Sequence, residues 1–184
     1  TLSHHISAQK NKYLSVGNAM RVAIYIGSAL AHIHRCGYLH LDVKASNIMI
    51  VRSRPVLIDL GTARKINANK PGDLTGTDTY MSPEQCLRQR LSPASDVFAL
   101  GVLLFRMLTG EFPFVQKRGA KSFSQLRDPP LSLRKIRPGA PLALEKLVYQ
   151  CLARDPNQRP TLEVLLPALH IFITSGPAMW PEHV

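Results

Sequence analysis

Two short polar clusters in this sequence contain the residue types that phosphate chemistry uses. The first spans residues 40–47 and contains a carboxylate, an ammonium group and an amide: Asp42, Lys44 and Asn47. The second is Asp59, which is followed by a Leu-Gly pair. Phosphoryl transfer needs a base, positioning of the transferred group and neutralisation of its charge. The two clusters together are suited to that reaction.

Each of the four side chains has a natural part in such a reaction. Asp42 could accept the proton of an attacking hydroxyl, and Lys44, two residues on, points to the same side of an extended loop and could contact a γ-phosphate. Asn47 and Asp59 offer hard oxygen ligands for Mg²⁺. The alternative is a polar turn before a strand, in which Asp and Asn only satisfy the backbone. Two such clusters at this spacing favour the chemical interpretation.

Short apolar runs flank both clusters and are expected to position them. Residues 48–51 and 56–58 are rich in β-branched side chains and predict two strands. Residues 52–55 between them are turn-like. A hairpin of these strands would bring both polar clusters to one end of a small sheet.

The motifs His40-x-Asp42-x-Lys44-x-x-Asn47 and Asp59-x-Gly61 resemble the catalytic loop and the metal-binding loop of the eukaryotic-type serine/threonine protein kinases. Residues 76–84, Gly-Thr-Asp-Thr-Tyr-Met-Ser-Pro-Glu, resemble the end of that family's activation segment. Residues 95–101 and 155–160 fall where its later motifs belong. The resemblance is closer to bacterial members than to animal ones.

The resemblance runs over residues 1–172 and implies a protein kinase catalytic domain of which only the larger, C-terminal lobe is present. The implied fold is mainly α (α+β), with helices around a buried central helix and a small β-hairpin at the active site. The stretch 96–108 is apolar nearly all round and predicts that helix, with Ser92 or Ser95 at its start. Residues 173–184 are expected to be a C-terminal extension.

The same resemblance assigns roles to residues that no local pattern explains. It implies that His40 braces the catalytic loop and that Asp96 binds the backbone of that loop. It also implies that Glu84 and Arg159 form a buried ion pair. Thr77 would contact the catalytic Asp and Lys, which favours serine/threonine over tyrosine as the acceptor. ATP and Mg²⁺ are the implied cofactors, and Lys44, Asn47 and Asp59 the residues that would bind them.

Two positions depart from the family pattern. Leu41 stands where the family has an arginine that reads a phosphate on the activation loop, and Asp73 falls about where the main loop phosphosite lies. Together they predict a kinase that does not depend on phosphorylation of this loop. Leu60 replaces the usual Phe, which is a tolerable change if Leu60 packs behind the metal site.

Helical periodicity places the remaining elements. Asn18 is a candidate N-cap for a helix over 19–35 that Gly37 ends, while residues 1–17 are polar and mixed and predict no element. Two last helices are expected over 143–153 and 161–172. A zinc site near the end of the first helix is disfavoured because its four potential ligands match no zinc-binding spacing: His32, His34, Cys36 and His40.

Composition narrows the function classes. The chain has 184 residues, a net charge of +11 and no apolar run long enough to span a membrane. Its three cysteines are sparse and odd in number, which predicts reduced thiols and a cytoplasmic location. The densest basic stretch, 117–137, has one aromatic residue and no nucleic-acid motif. A solvated basic face, or one that docks acidic protein segments, is therefore favoured over nucleic-acid binding.

The predicted function is a serine/threonine protein kinase seen as a fragment. No G-x-G-x-x-G occurs in the sequence, and no segment before the first helix can carry the strand lysine. The chain alone is therefore expected to bind Mg-ATP poorly and to be inactive, and the N-terminal lobe is its expected missing partner. The alternative is a non-catalytic kinase-like interaction module. A small-molecule phosphotransferase is disfavoured by the Ser-Pro-Glu and Arg-Pro motifs.

Overall fold

The computed structural model describes residues 1–66, 76–115 and 123–173. Within these ranges the chain forms seven α-helices and four short strands, which confirms the predicted mainly α fold. The elements are α1 (Leu2–Ala8), α2 (Val16–Arg35), β1 (Tyr38–Leu39), β2 (Ile48–Val51), β3 (Arg54–Leu57), β4 (Arg64–Lys65), α3 (Pro83–Cys86), α4 (Pro93–Thr109), α5 (Leu133–Ile136), α6 (Leu142–Cys151) and α7 (Leu162–His170). Asp73 and residues 174–184 of the predicted extension lie outside the described ranges.

Helix α4 is the most deeply buried element of the described chain. Fourteen of its 17 residues are buried, and α2, α5 and α6 pack around it. Ser92 is its N-cap, as predicted, and its first residue is a proline, which suits a position whose N–H has no helical partner. Gly110 ends the helix with φ at +79°, and a Cβ there would lie 2.6 Å from the carbonyl oxygen of Lys12. Only glycine fits both conditions.

Helix α2 begins earlier than predicted. Ser15 is its N-cap and accepts a hydrogen bond from the N–H of Asn18, so Asn18 lies in the first turn and its assignment as the N-cap is wrong. Both residues are good capping types three positions apart, and the contact that decides between them is not visible in the sequence. Gly37 follows the end of the helix with φ at +83°, as a left-handed terminator requires.

The first helix, α1, was not predicted. Only Leu2 and Ile6 of its seven residues are buried, and they join the main core against the 3₁₀ turn Ala45–Asn47 and strand β2. A helix this short is stabilised by tertiary packing and not by its own propensity. It thus supports the catalytic loop from behind.

The two last helices, α6 and α7, agree with the predicted spans within two residues at every end. Between them lies the 3₁₀ turn Pro156–Gln158, whose N-cap Asp155 accepts a hydrogen bond from the N–H of Asn157. This turn packs against α4 and leads into Arg159.

The predicted β-hairpin is confirmed. Strands β2 and β3 pair antiparallel with Ile48 opposite Leu57 and Val51 opposite Arg54. The turn is only two residues long, since Arg52 and Ser53 have φ values of +46° and +62°, the backbone of a type I′ turn. Such a turn matches the twist of the strands. Strand β3 therefore begins at residue 54, two residues before the start of the predicted run 56–58.

A second small sheet joins β1 to β4, with Tyr38 opposite Lys65. The stretch 62–75 has no apolar periodicity in the sequence and reads as a loop, but residues 64–65 form a strand, while residues 67–75 lie outside the described ranges. Two residues with backbone pairing to a distant strand carry no periodic signal in the sequence. This sheet fixes the chain just after Asp59 to the end of helix α2.

Candidate active site

A buried carboxylate holds the backbone of the catalytic loop. Asp96, at the start of α4, has no exposed surface, and its two oxygens accept the N–H groups of His40 and Leu41 at 2.9 and 2.8 Å. Leu41 has φ at +66°, a left-handed conformation that leucine rarely adopts. Its carbonyl oxygen accepts a hydrogen bond from Gln85 Nε2 at 3.1 Å. The strained residue directly before Asp42 is thus held on both sides of its peptide.

His40 is fully buried and contacts the loop that it begins. Its Nδ1 accepts the N–H of Asp42 at 3.3 Å, and its carbonyl oxygen accepts the Thr62 hydroxyl at 2.9 Å. Because Nδ1 is an acceptor, the ring proton is placed on Nε2, which has no hydrogen-bond partner among the described residues. The ring therefore packs as a neutral spacer behind the backbone of Asp42.

Three polar side chains meet at Asp42, which is buried. One carboxylate oxygen lies 2.7 Å from Lys44 Nζ and 2.9 Å from Asn47 Nδ2. The other accepts the Thr77 hydroxyl at 3.1 Å. Thr77 also accepts a hydrogen bond from Lys44 Nζ at 2.8 Å, which closes a ring of contacts. The catalytic-loop residues and the start of the described activation segment are thereby locked together.

This arrangement leaves the Asp42 carboxylate one acceptor position. An ionised carboxylate has about four such positions, and three donors occupy three of them. The remaining position can take a hydroxyl of a bound substrate. A carboxylate can act as a general base only if it lies within hydrogen-bond reach of the proton that it takes, and this open position allows such a contact.

Asn47 and Asp59 each keep one oxygen for a cation. Asn47 uses only its amide nitrogen, which donates to the carbonyl and the carboxylate of Asp42 at 3.0 and 2.9 Å. Asp59 is exposed, has φ at +69°, and uses one oxygen to accept the Gly61 N–H at 3.0 Å. The N–H of Ile58 donates to the carbonyl of Asn47 at 2.9 Å and brings the two backbones together. Free amide and carboxylate oxygens match what Mg²⁺ prefers.

Leu60 does not pack behind this site. It is 61% exposed and is absent from the buried core, so the expectation for it is wrong in the described chain. It follows the left-handed turn at Asp59 and lies beyond the hairpin, whose outward residues are also exposed: Met49, Val51, Val56 and Ile58. These five apolar side chains mark the edge of the candidate site that is open to solvent.

Glu84 and Arg159 are joined by two parallel hydrogen bonds, of 2.7 and 2.8 Å, and both are buried. Ser95 donates to the same carboxylate at 2.7 Å. Burial opposes the ionisation of Glu84, but the hydrogen bonds and positive charge of Arg159 outweigh it, so the pKa of Glu84 is lowered. The pair fastens α3 to the loop before α7.

His34 is a residue of the site that the sequence interpretation missed. Its Nε2 lies 2.8 Å from the same oxygen of Asp96 that accepts the His40 N–H. In the sequence interpretation, His34 was considered only as a potential metal ligand. The described residues contain no cluster of three or more metal-binding side chains. A contact across 62 residues has no local signal.

Replacing His34 with alanine should lower the free energy of unfolding by about 1–3 kcal/mol, because the buried Asp96 would lose a hydrogen-bond donor. His32→Ala is the matched control, since His32 lies on the same helix but is exposed. We expect it to change stability by no more than about 0.5 kcal/mol. Urea unfolding of both variants measures the difference, and equal effects would contradict a role for the His34–Asp96 contact.

The cysteines take no part in the site chemistry. All three are free thiols. Burial raises the pKa values of Cys86 and Cys151 to about 12. Both thiols therefore stay protonated at neutral pH, and nucleophilic catalysis by either is disfavoured.

Comparison with known proteins shows the family to which the chain is similar. The sequence model of the family described as the protein kinase domain matches residues 1–171 of this chain. A probable serine/threonine-protein kinase PkwA of Thermomonospora curvata is 39% identical over 157 residues, which cover 83% of this chain and 21% of that protein. The serine/threonine-protein kinase pkn3 of Myxococcus xanthus is 33% identical over 164 residues, covering 80% and 30%.

The chain belongs to the protein kinase family. A further relative, the serine/threonine-protein kinase PknB of Mycobacterium leprae, is 34% identical over 137 residues, covering 71% of this chain and 22% of that protein. The chain thus spans between a fifth and a third of the length of these relatives. Among its described helices, none has both the length and the apolar character needed to cross a membrane.

Proposed function

We propose that this chain is the substrate-binding and catalytic part of a serine/threonine protein kinase. The ring of contacts around Asp42 carries the proposal. A base with one open acceptor position, an ammonium group beside it and two free cation ligands are the parts that phosphoryl transfer needs. We place the domain at residues 1–172.

In this proposal Asp42 binds the serine or threonine hydroxyl of a protein substrate at its open position. As the oxygen of that hydroxyl forms a bond to the terminal phosphorus of ATP, the bond from that phosphorus to the bridging oxygen breaks and ADP leaves. The proton of the hydroxyl moves to the Asp42 carboxylate. Lys44, held by Asp42 and Thr77, places its positive charge beside the transferred group. Thr77 keeps both residues in place and leaves the open position to the acceptor.

ATP and Mg²⁺ are the cofactors that suit these residues. The free oxygens of Asn47 and Asp59 would hold the metal ion, which supplies charge neutralisation for the phosphates when bound. The exposed apolar edge next to them, from Met49 to Leu60, gives an adenine ring an apolar surface to lie on. The same edge would be covered by a second, smaller lobe.

We propose that loop phosphorylation is not needed for activity. Leu41 is buried and holds no charge, so it cannot pair with a phosphate as the family's arginine does. Its backbone is instead held by Asp96 and Gln85. Treating the complete protein with a phosphatase should leave its rate of substrate phosphorylation unchanged, and a loss of activity that rephosphorylation restores would contradict this.

The exposed apolar edge also favours a second candidate, a non-catalytic module that binds a protein partner on this edge. One experiment separates the two. The complete native protein is incubated with ATP labelled at the terminal phosphate and a library of serine, threonine and tyrosine peptides. A kinase labels serine and threonine and loses this activity when Mg²⁺ is chelated. Absence of labelling, with the protein folded, would favour the module.

A further inference from the structure

Arg106 is a partly buried cation that the proposed mechanism does not use. It lies in the last turns of α4, with its guanidinium carbon 4.4 Å from the centre of the Phe112 ring. Its Nε is buried and has no hydrogen-bond partner among the described residues. Arg106 takes part in none of the ion pairs that the described residues form. Withdrawing this N–H of a guanidinium from water without an acceptor costs free energy, so the position of Arg106 requires an explanation.

Two other arginines show what a structural arginine looks like in this fold. Arg159 uses all five of its N–H donors, on Glu84 and on three backbone carbonyls. Arg137 lies over the Tyr13 ring and donates to two backbone carbonyls that anchor it. Arg106 shares the burial and the ring contact, but no carboxylate or backbone carbonyl of the described residues accepts from it. Its hydrogen bond is with the Tyr80 side chain, and its Nε has no partner there. Its charge also suits the C-terminal end of a helix, but that effect does not require burial or satisfy Nε.

The position of Arg106 places it next to the substrate side of the catalytic loop. The Tyr80 ring packs edge-on against Phe112 with 5.5 Å between ring centres, and its hydroxyl lies 3.5 Å from the N–H of Ala45. Burial raises the pKa of Tyr80, while the charges of Arg106 and Asp42 act on it in opposite directions. One tyrosine hydroxyl thus lies within electrostatic reach of both the proposed base and this cation.

We propose that Arg106 is a specificity-determining residue that binds the carboxylate of an aspartate or glutamate in the substrate, close to the acceptor hydroxyl. The inference rests on the proposed kinase function and names its substrate class, an acidic peptide segment. A guanidinium that is held by the Tyr80 hydroxyl, lies over a ring and has an unpartnered Nε is pre-organised for a carboxylate. The net charge of +11 also attracts acidic segments to the protein.

The test uses the complete native protein and a set of serine peptides with alanine elsewhere. Each peptide carries one aspartate, and the set places it at every position on either side of the serine. We expect one position to raise kcat/KM about tenfold or more over the all-alanine peptide, as one charge-assisted hydrogen bond allows. Arg106→Gln should abolish this preference, and Arg106→Lys should retain part of it.

Arg106→Glu should reverse the preference, so that a peptide with lysine at that position is phosphorylated faster than one with aspartate. An unfolded variant would lose activity on both peptides and could not show this reversal. Lys146→Gln, an exposed change on α6, is the control and should keep the preference for aspartate. If the native protein phosphorylates the aspartate peptides and the all-alanine peptide at equal rates, the inference is overturned while the proposed kinase function stands. A preference for phosphoserine over aspartate at that position would overturn the assignment to a carboxylate. No phosphorylation of any peptide would overturn the proposed function as well.

Discussion

Replacing Arg159 with alanine should lower the free energy of unfolding by about 3–5 kcal/mol, because Glu84 would remain buried without its cation. Both carboxylate oxygens of Glu84 bind this guanidinium. Three backbone carbonyls would also lose their donor: those of Ala94, Ala153 and Arg154. The large effect comes from the stranded groups and not from the attraction of the pair itself, since buried pairs often contribute little net stability.

Two further variants separate these contributions. Arg154→Ala removes an exposed side chain but keeps the carbonyl that Arg159 uses, so stability should change by no more than about 0.5 kcal/mol. The double variant Glu84→Gln with Arg159→Met removes both charges and should be less destabilised than Arg159→Ala alone. Urea unfolding curves give the three values. A single Arg159→Ala variant as stable as Arg154→Ala would show that the pair is not needed.

The pH dependence of this difference follows from the lowered pKa of Glu84. A carboxyl with a lowered folded pKa stabilises the fold fully above its ordinary pKa, about 4.5, and loses that contribution as the pH falls through the folded value. Without Arg159, the hydrogen bonds and positive charge that lower the pKa of Glu84 most are lost, and burial, which raises the pKa, is opposed only by the Ser95 and backbone hydrogen bonds. The gap in stability between the native protein and Arg159→Ala should therefore narrow as the pH falls below about 4.5.

The catalytic loop could be predicted from the sequence because its parts lie close together along the chain. Asp42, Lys44 and Asn47 fall within a few residues, and the hairpin that brings Asp59 alongside is encoded by two β-branched runs and a turn. Thr77 contacts Asp42 across 35 residues and Arg159 contacts Glu84 across 75, and only the resemblance to a family indicated them. Periodicity describes a face of an element and does not say what covers that face.

The errors have the same physical origin. Helix α1 depends on two buried apolar residues that pack against the 3₁₀ turn Ala45–Asn47 and strand β2, too few to give a helical pattern. The partner of His34 lies 62 residues away along the chain, and the sequence pattern considered only residues close to His34. Leu60 was placed by analogy with an aromatic residue, but its surroundings in the described chain leave it 61% exposed. In each case a tertiary contact, present or missing, decides the outcome.

Replacing Asp42 with asparagine should lower kcat by about 10²–10⁴-fold in the complete protein, because the acceptor hydroxyl would lose its base. The substitution fits the site. The amide oxygen can face Lys44 Nζ and Asn47 Nδ2, both of which are donors, and the amide nitrogen can face the Thr77 hydroxyl. The geometry is thus kept while the capacity to take a proton is lost, so the melting temperature should change little.

The readouts for Asp42→Asn separate a base from a residue that only shapes the loop. Loss of a base acts on the chemical step, so KM for ATP should stay near the native value while kcat falls. Thr77→Val is the comparison, since it removes both contacts of the hydroxyl but leaves the carboxylate, and its loss in kcat should be smaller. If Asp42→Asn and Thr77→Val reduce kcat equally, Asp42 acts through the position of Lys44 and not as the base.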